Sequence, residues 1–179
     1  MKIGKILLLI GAILTLLSTF FFSFGVTAGT DGRTLISGIG FLFNLPEIFG
    51  DVAYWNSFNG GVTALQYTFA IIFILFVFSG VIQLGGLKNK YVAFIGSLIA
   101  IAFGIYLVIN LTHTPPLDLN RYSSLFWRAP IVDGIFPLDI RIIEVNTIPI
   151  VYLYLSLGTI TLFIGGALGL VGGFLGRKD

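Results

Sequence analysis

Long uncharged runs alternate with short charged segments along this chain. Ile6 to Thr30, Val52 to Leu87, Tyr91 to Thr112 and Val145 to Gly176 contain no Asp, Glu, Lys, Arg or His. A bilayer core about 30 Å thick is crossed by roughly 20 apolar helical residues. The runs therefore predict four transmembrane helices, at about 6–27, 62–87, 91–112 and 149–176. Pro149 is expected in the first turn of the last, where a missing N–H costs little. Two longer segments, about 28–61 and 113–148, join the spans on one side. In the first, Thr30-Asp31-Gly32-Arg33 predicts a hairpin turn, because Asp-Gly supplies the positive φ of a tight turn. Leu35 to Leu45 reads as a strand or an interfacial segment that Pro46 ends, and Tyr54 and Trp55 lead into the second span. In the second, Val132-Asp133-Gly134-Ile135 reads as a turn, and Leu138 to Ile142 alternates as a strand does. The expected fold is an all-α membrane protein: one four-transmembrane-helix bundle over residues 1–179, whose two extracytoplasmic loops form a small β-layer.

Composition agrees. Of 179 residues 56% are hydrophobic and 10% charged, and mean hydropathy is +1.01; soluble domains carry about 25% charged residues. The absence of cysteine excludes disulfides and thiolate chemistry. One methionine and abundant Ile, Leu, Val and Phe would suit a thermophile. The first run has a basic start (Lys2, Lys5), and Val26-Thr27-Ala28 resembles a cleavage site. Its apolar stretch is longer than an ordinary signal-peptide core, so an uncleaved anchor is expected.

Charge sets the orientation. Lys2 and Lys5 precede span one, Lys88 and Lys90 lie between spans two and three, and Arg177-Lys178 follow span four. Short basic segments stay cytoplasmic. Both termini are therefore expected in the cytoplasm of a multi-pass cell-membrane protein. The inner segments then carry +5 and the outer loops −3, recovering the net +2. That weak, scattered charge argues against nucleic acid as a partner.

Small residues recur at helix-packing intervals. Gly165, Gly169 and Gly173 are four apart, and Gly172 and Gly176 form an adjacent pair. Gly96, Ala100 and Gly104 repeat the device in span three. Gly4, Gly11, Ser18 and Gly25 are seven apart in span one. Without a hydrophobic driving force between helices in lipid, small residues permit the close contact that holds them. Packing within the chain's own bundle is the first reading of these faces, and a surface for another subunit the second. Gln83, Tyr67, Tyr106 and Asn110 are polar exceptions in the spans; Gln83 is expected to hydrogen-bond a neighbouring helix.

Candidate chemistry is sparse. The spans hold no ionisable group of the kind that marks pumps, proton relays or voltage sensors. His113, the only histidine, stands without clustered ligands, so neither metal nor cofactor is expected. Asp118, Arg121, Asp133, Asp139, Arg141 and Glu144 read as loop charges and salt bridges. Trp55, Arg121, Trp127 and Arg128 are candidate contacts to lipid or a partner. Asn110-Leu111-Thr112 matches a glycosylation sequon, expected unmodified at the membrane edge.

The order of parts resembles the claudin-type tetraspan group: inner termini, a long first outer loop with strands, a one-turn inner link and a shorter outer loop with a strand. Trp55, in "YWNSF", stands without that group's Gly-Leu-Trp and cysteines. The resemblance implies sealing, adhesion or an accessory role. The favoured expectation is a non-catalytic structural or accessory subunit of a membrane complex, contacting membrane lipids and other membrane subunits. The alternatives are a self-associating, homo-oligomeric tetraspan in adhesion or envelope organisation, and a lipid- or quinone-handling component of a redox complex. The orientation is checked with cysteines placed at Ser57 and Ser124, which should react with an impermeant thiol reagent on intact cells, whereas one at Asn89 should stay unlabelled. The opposite labelling contradicts it.

Overall fold

The computed structural model describes residues 3–29, 32–59, 61–112, 125–128, 137–148 and 151–175. The chain runs α1 (Ile3–Phe20), β1 (Gly25–Gly29), β2 (Gly32–Ile36), α2 (Gly38–Gly50), α3 (Val52–Asn59), α4 (Thr63–Val77), α5 (Ser79–Gly85), α6 (Lys90–Thr112), β3 (Trp127–Arg128), β4 (Arg141–Ile148), β5 (Val151–Ser156) and α7 (Leu157–Leu175). It is mostly helical, with one small antiparallel sheet in the order β3-β2-β1-β5-β4. Among the described residues α1, α6 and α7 are long and apolar enough to cross a membrane, and the bent pair α4–α5 makes a fourth if counted as one span.

Helices α1 and α7 form the most extensive helix pair. The buried face of α1 carries Gly4, Leu8, Gly11, Ala12, Thr15, Ser18 and Thr19. That of α7 carries Gly158, Thr159, Leu162, Gly165, Gly166, Gly169, Gly172 and Gly173. Both follow the alternating three- and four-residue spacing of a helix seam. Contact is backbone to backbone. A Cβ on Gly11 would lie 2.6 Å from the Gly165 carbonyl oxygen and 2.7 Å from the Gly169 nitrogen. One on Gly172 would lie 2.6 Å from the Leu8 nitrogen. No side chain fits at either place.

The seam continues past the helices. After Phe20 the chain becomes extended and enters β1, which pairs with β5, the strand that leads into α7. Across this junction the Ser18 hydroxyl donates to the Gly158 carbonyl. The Gly158 N–H donates to Ser23 O (3.0 Å), and the Ser156 N–H to Phe24 O (2.9 Å). Thr159 Oγ1 also donates to Phe24 O, at 2.8 Å. Backbone groups leaving the helices thus find partners at once, as an apolar setting demands.

A phenylalanine core fills the sheet end. Phe73 of α4 meets Phe126 (4.7 Å), Tyr106 (5.3 Å) and Phe41 (6.0 Å) between ring centroids. Phe103 of α6 meets Phe76 (4.8 Å), Phe24 (5.2 Å) and Phe126 (5.3 Å). Offset and edge-on pairs at these separations add to the area they bury. The cluster ties α2, α4, α6 and the β1 end into one body.

Several boundaries differ from the sequence expectation. Span one stops at Phe20 rather than near residue 27, because Gly25–Gly29 is the strand β1; Gly25 therefore leaves the helical seam, and Val26–Ala28 lies within the sheet. Span two is not one rod: α4 and α5 meet at Phe78 with a 52° bend. The Ser79-Gly80 pair follows the break, a sequence at which helices kink. Span four begins at Leu157, not at 149, since Arg141–Ile148 and Val151–Ser156 form a hairpin. Pro149, between its strands, lies outside the described residues. In the first loop, Gly29 pairs with Gly32, so Gly32, expected in the turn, is already strand; Thr30 and Asp31 lie outside the described residues. Pro46 does not end a strand but stands inside α2, on its exposed face. That helix starts at Ser37, whose hydroxyl accepts from the Gly40 N–H at 3.0 Å. Asp51 caps α3 likewise, Oδ1 accepting from the Tyr54 N–H at 3.1 Å. Leu138, expected in a strand, forms an isolated parallel bridge with Phe22 before β4 begins. The turn expected at Val132–Ile135 lies outside the described residues.

The seam makes a direct prediction. Gly11→Ala should destabilise the folded chain by about 1–3 kcal/mol through overpacking. Gly50→Ala, with nothing within 4 Å of the added methyl, should be neutral or stabilising by a few tenths of a kcal/mol. Thermal unfolding in detergent compares them; equal midpoints contradict the seam.

Candidate functional site

Two polar clusters stand out in an otherwise apolar molecule. The first lies among the helices. The bend at Phe78 turns α5 toward α1, where Gly80 approaches Leu16 so closely that a Cβ would meet its side chain at 2.8 Å. One turn later Gln83 is fully buried. The Thr15 hydroxyl donates its one proton in a shared, three-centre bond to Gly11 O at 3.0 Å and Gln83 Oε1 at 3.2 Å, joining the helix to the neighbouring amide. The expected interhelical bond of Gln83 is therefore present. Gln83 Nε2, Ser97 Oγ and Ser79 Oγ are buried and make no hydrogen bond. Gly169 lies against the first two: a Cβ there would collide with Ser97 Oγ and lie 3.4 Å from Gln83 Nε2. The arrangement offers amide and hydroxyl donors and no ionisable group. It can hold helices in register through hydrogen bonds, each worth about 0.6–2 kcal/mol in a membrane. It has no group for proton abstraction or nucleophilic attack assisted by a base.

The second cluster lies where the sheet joins the helices. Asp139, its side chain 3% exposed, is held by β4, β5 and the α1–β1 link. Oδ1 accepts from Ser156 Oγ of β5 at 3.1 Å and from Ser23 Oγ at 3.3 Å. Oδ2 accepts from Arg141 Nε of β4 at 3.0 Å. Arg141 also stacks over Tyr154, 4.9 Å from the ring centroid. Each carboxylate oxygen is occupied, and the group acts as a charged bolt across the α1–β1 and β5–α7 junctions. Of the loop charges singled out in the sequence, Asp139 and Arg141 are brought together. Arg121, Asp118, Asp133 and His113 lie outside the described residues.

The small residues are distributed over several contacts. Gly11, Gly165 and Gly169 line the α1–α7 seam, and Ser18 bonds across it. Gly96 faces α5, where a Cβ would lie 2.6 Å from the Gln83 nitrogen. Gly104 faces the Phe163 ring of α7, Ala100 is buried in the core, and Gly173 has room for a methyl at 3.5 Å from Ala93 and Phe94. Trp55, expected as a lipid or partner contact, is instead 7% exposed and packed in the aromatic core. Its neighbour Tyr54 is the exposed ring. Trp127 and Arg128 pair in β3 with Ile36 and Leu35. Sequence reasoning missed Thr15, Ser97 and Ser79; their signal was polar residues at the packing intervals of otherwise apolar spans.

Asp139→Ala should lower stability by about 1–3 kcal/mol, since two buried hydroxyls and a guanidinium lose their acceptor. Asp139→Asn should recover part of that loss. Denaturant titration reads both, and an Ala variant as stable as the parent contradicts the bolt. No protein-family model, no curated protein and no solved structure matches this chain.

Proposed function

We propose that this chain is a four-span protein of the cell membrane, both termini cytoplasmic, and a non-catalytic structural or accessory subunit of a larger membrane assembly. The α4–α5 pair serves as the second span, bent so that Gln83 reaches α1. The partner is another membrane subunit, and it meets the sheet end of the molecule.

One observation carries this reading. Strand β4 is one edge of the sheet, and Leu138, Ile140, Ile142 and Ile143 on and before it are 43%, 40%, 46% and 52% exposed. Exposed isoleucines on α1, α4, α6 and α7 are covered by lipid chains in this reading. Those of β4 are different, because exposed Arg141 and Glu144 interrupt them. Charges of that kind do not face hydrocarbon. Exposed apolar side chains interleaved with charges are the composition of a protein contact. Register shifts between Arg141 and Ile143 and between Glu144 and Asn146 interrupt the strand edge. Such bulges oppose simple strand addition, so the partner meets side chains rather than extending the sheet.

Purification in mild detergent should yield a stoichiometric second membrane protein. Ile142→Glu with Ile143→Glu should reduce its retention at least about tenfold, or ~1.4 kcal/mol, with the thermal midpoint of the chain unchanged. A monomer without a partner contradicts the proposal. A homo-oligomer alone, dissociated by the same substitutions, replaces it with the self-associating alternative.

A further inference from the structure

The end of the helices away from the sheet carries a different feature. Lys5 of α1, Lys88 of the α5–α6 turn and Lys90 at the start of α6 line one cavity of about 220 Å³, with Gly4, Gly86 and Gly172 in its wall. A second cavity of about 210 Å³ shares Lys90 and Gly173 with the first and is otherwise lined by Tyr91, Phe94 and Phe174. The two form a notch with a cationic half and an aromatic half.

The notch is held by backbone constraints. The Gly86 N–H donates to Gln83 O (2.8 Å) and the Lys88 N–H to Gly85 O (3.1 Å). Asn89 Oδ1 caps α6 by accepting from the Tyr91 N–H at 3.0 Å. A Cβ on Gly86 would lie 2.6 Å from the Ala93 Cα, so only glycine lets the turn sit this close to α6. The aromatic wall is fixed by the edge-on Phe94–Phe174 pair, 4.5 Å between centroids. The four described carboxylates, Glu47, Asp51, Asp139 and Glu144, all belong to elements at the sheet end. Three lysines line one cavity, and an anion held among their charges is attracted by all three.

The occupant must combine concentrated negative charge with an apolar remainder. Inorganic phosphate would fill only the lysine half. A lipid headgroup fills both, and basic pockets between helices at a cytoplasmic surface bind such groups. We propose that the notch binds the phosphate of an anionic membrane lipid among Lys5, Lys88 and Lys90, with the glycerol and upper acyl chain against Phe94 and Phe174. This rests on the chain residing in a bilayer and is independent of any partner at β4.

Native mass spectrometry of the full chain, released from mild detergent with added phosphatidic acid, phosphatidylcholine or inorganic phosphate, tests it. Phosphatidic acid should be retained about tenfold more than phosphatidylcholine. Replacing all three lysines by Gln should erase that preference, and replacing them by Arg should keep it, because arginine preserves charge and phosphate contacts. Millimolar inorganic phosphate should leave the lipid bound. Equal retention of both lipids, or a preference that survives in the Gln variant, overturns the proposal. Displacement by inorganic phosphate overturns the lipid assignment in favour of a free-anion site. Should the triple Gln variant fail to fold, Lys88→Gln alone, on the exposed turn, should cut the preference about threefold; an unchanged preference overturns it. Alkaline carbonate extraction is read separately: release of the chain from membranes would overturn the bilayer reading itself.

Discussion

The structure depends on a close backbone approach between α1 and α7 that passes without a break into the pairing of β1 with β5. Along the helices, Gly11 lies against Gly165 and Gly169, and Gly172 against Leu8 and Gly4. At the junction, Ser18, Ser23 and Phe24 exchange hydrogen bonds with Ser156, Gly158 and Thr159. Beyond it the same two chain segments pair from Gly25 with Leu155 to Gly29 with Val151. Between apolar helices in an apolar medium, side-chain burial gains little, and contact distance decides the outcome. Glycine weakens a helix in water, but here it gives the neighbouring backbone access that any side chain would block.

Around this axis the molecule is polarised. One end has the sheet, the aromatic core, the Asp139 bolt and all described carboxylates; the other has Lys5, Lys88 and Lys90 on a glycine-walled notch. The bend at Phe78 links the two halves. It keeps Phe73 in the aromatic core while directing Gln83 onto Thr15. The claudin-type order of parts implies strands in the first loop and a strand in the second. Among the described residues, two strands come from the first connecting segment and three from the second, and α2 and α3 add helices to the first.

Where sequence and structure agree, the physical signal is unambiguous. Helix α6 is bounded by lysine at one end and carries no charge beyond it, and its limits match the expected span to within a residue. The β1–β2 hairpin was legible from the polar residues between two short apolar stretches, although Gly32, expected in the turn, belongs to β2. The junctions were not. Val151-Tyr152-Leu153-Tyr154-Leu155 is as apolar as a span, and an apolar run does not reveal whether it is strand or helix; β-branched and aromatic content was the only hint. The same ambiguity hid the end of α1, where Phe20 to Gly29 stays uncharged. Pro46 was read as the end of a strand or interfacial segment, yet it stands inside α2, whereas the side chains of Ser37 and Asp51 cap α2 and α3 directly. The burial of Trp55 arises from tertiary packing with α2 and α4, which no local pattern encodes. Glycine spacing indicated which faces pack closely, but the partner of each face emerged only with the fold.

The most direct measurement of the central claim is solid-state NMR of the unmodified chain, labelled with ¹³C-glycine and reconstituted in lipid bilayers. The account predicts a through-space correlation between the Cα atoms of Gly11 and Gly169. Gly11 correlated with lipid acyl chains and with no glycine of α7 would contradict it.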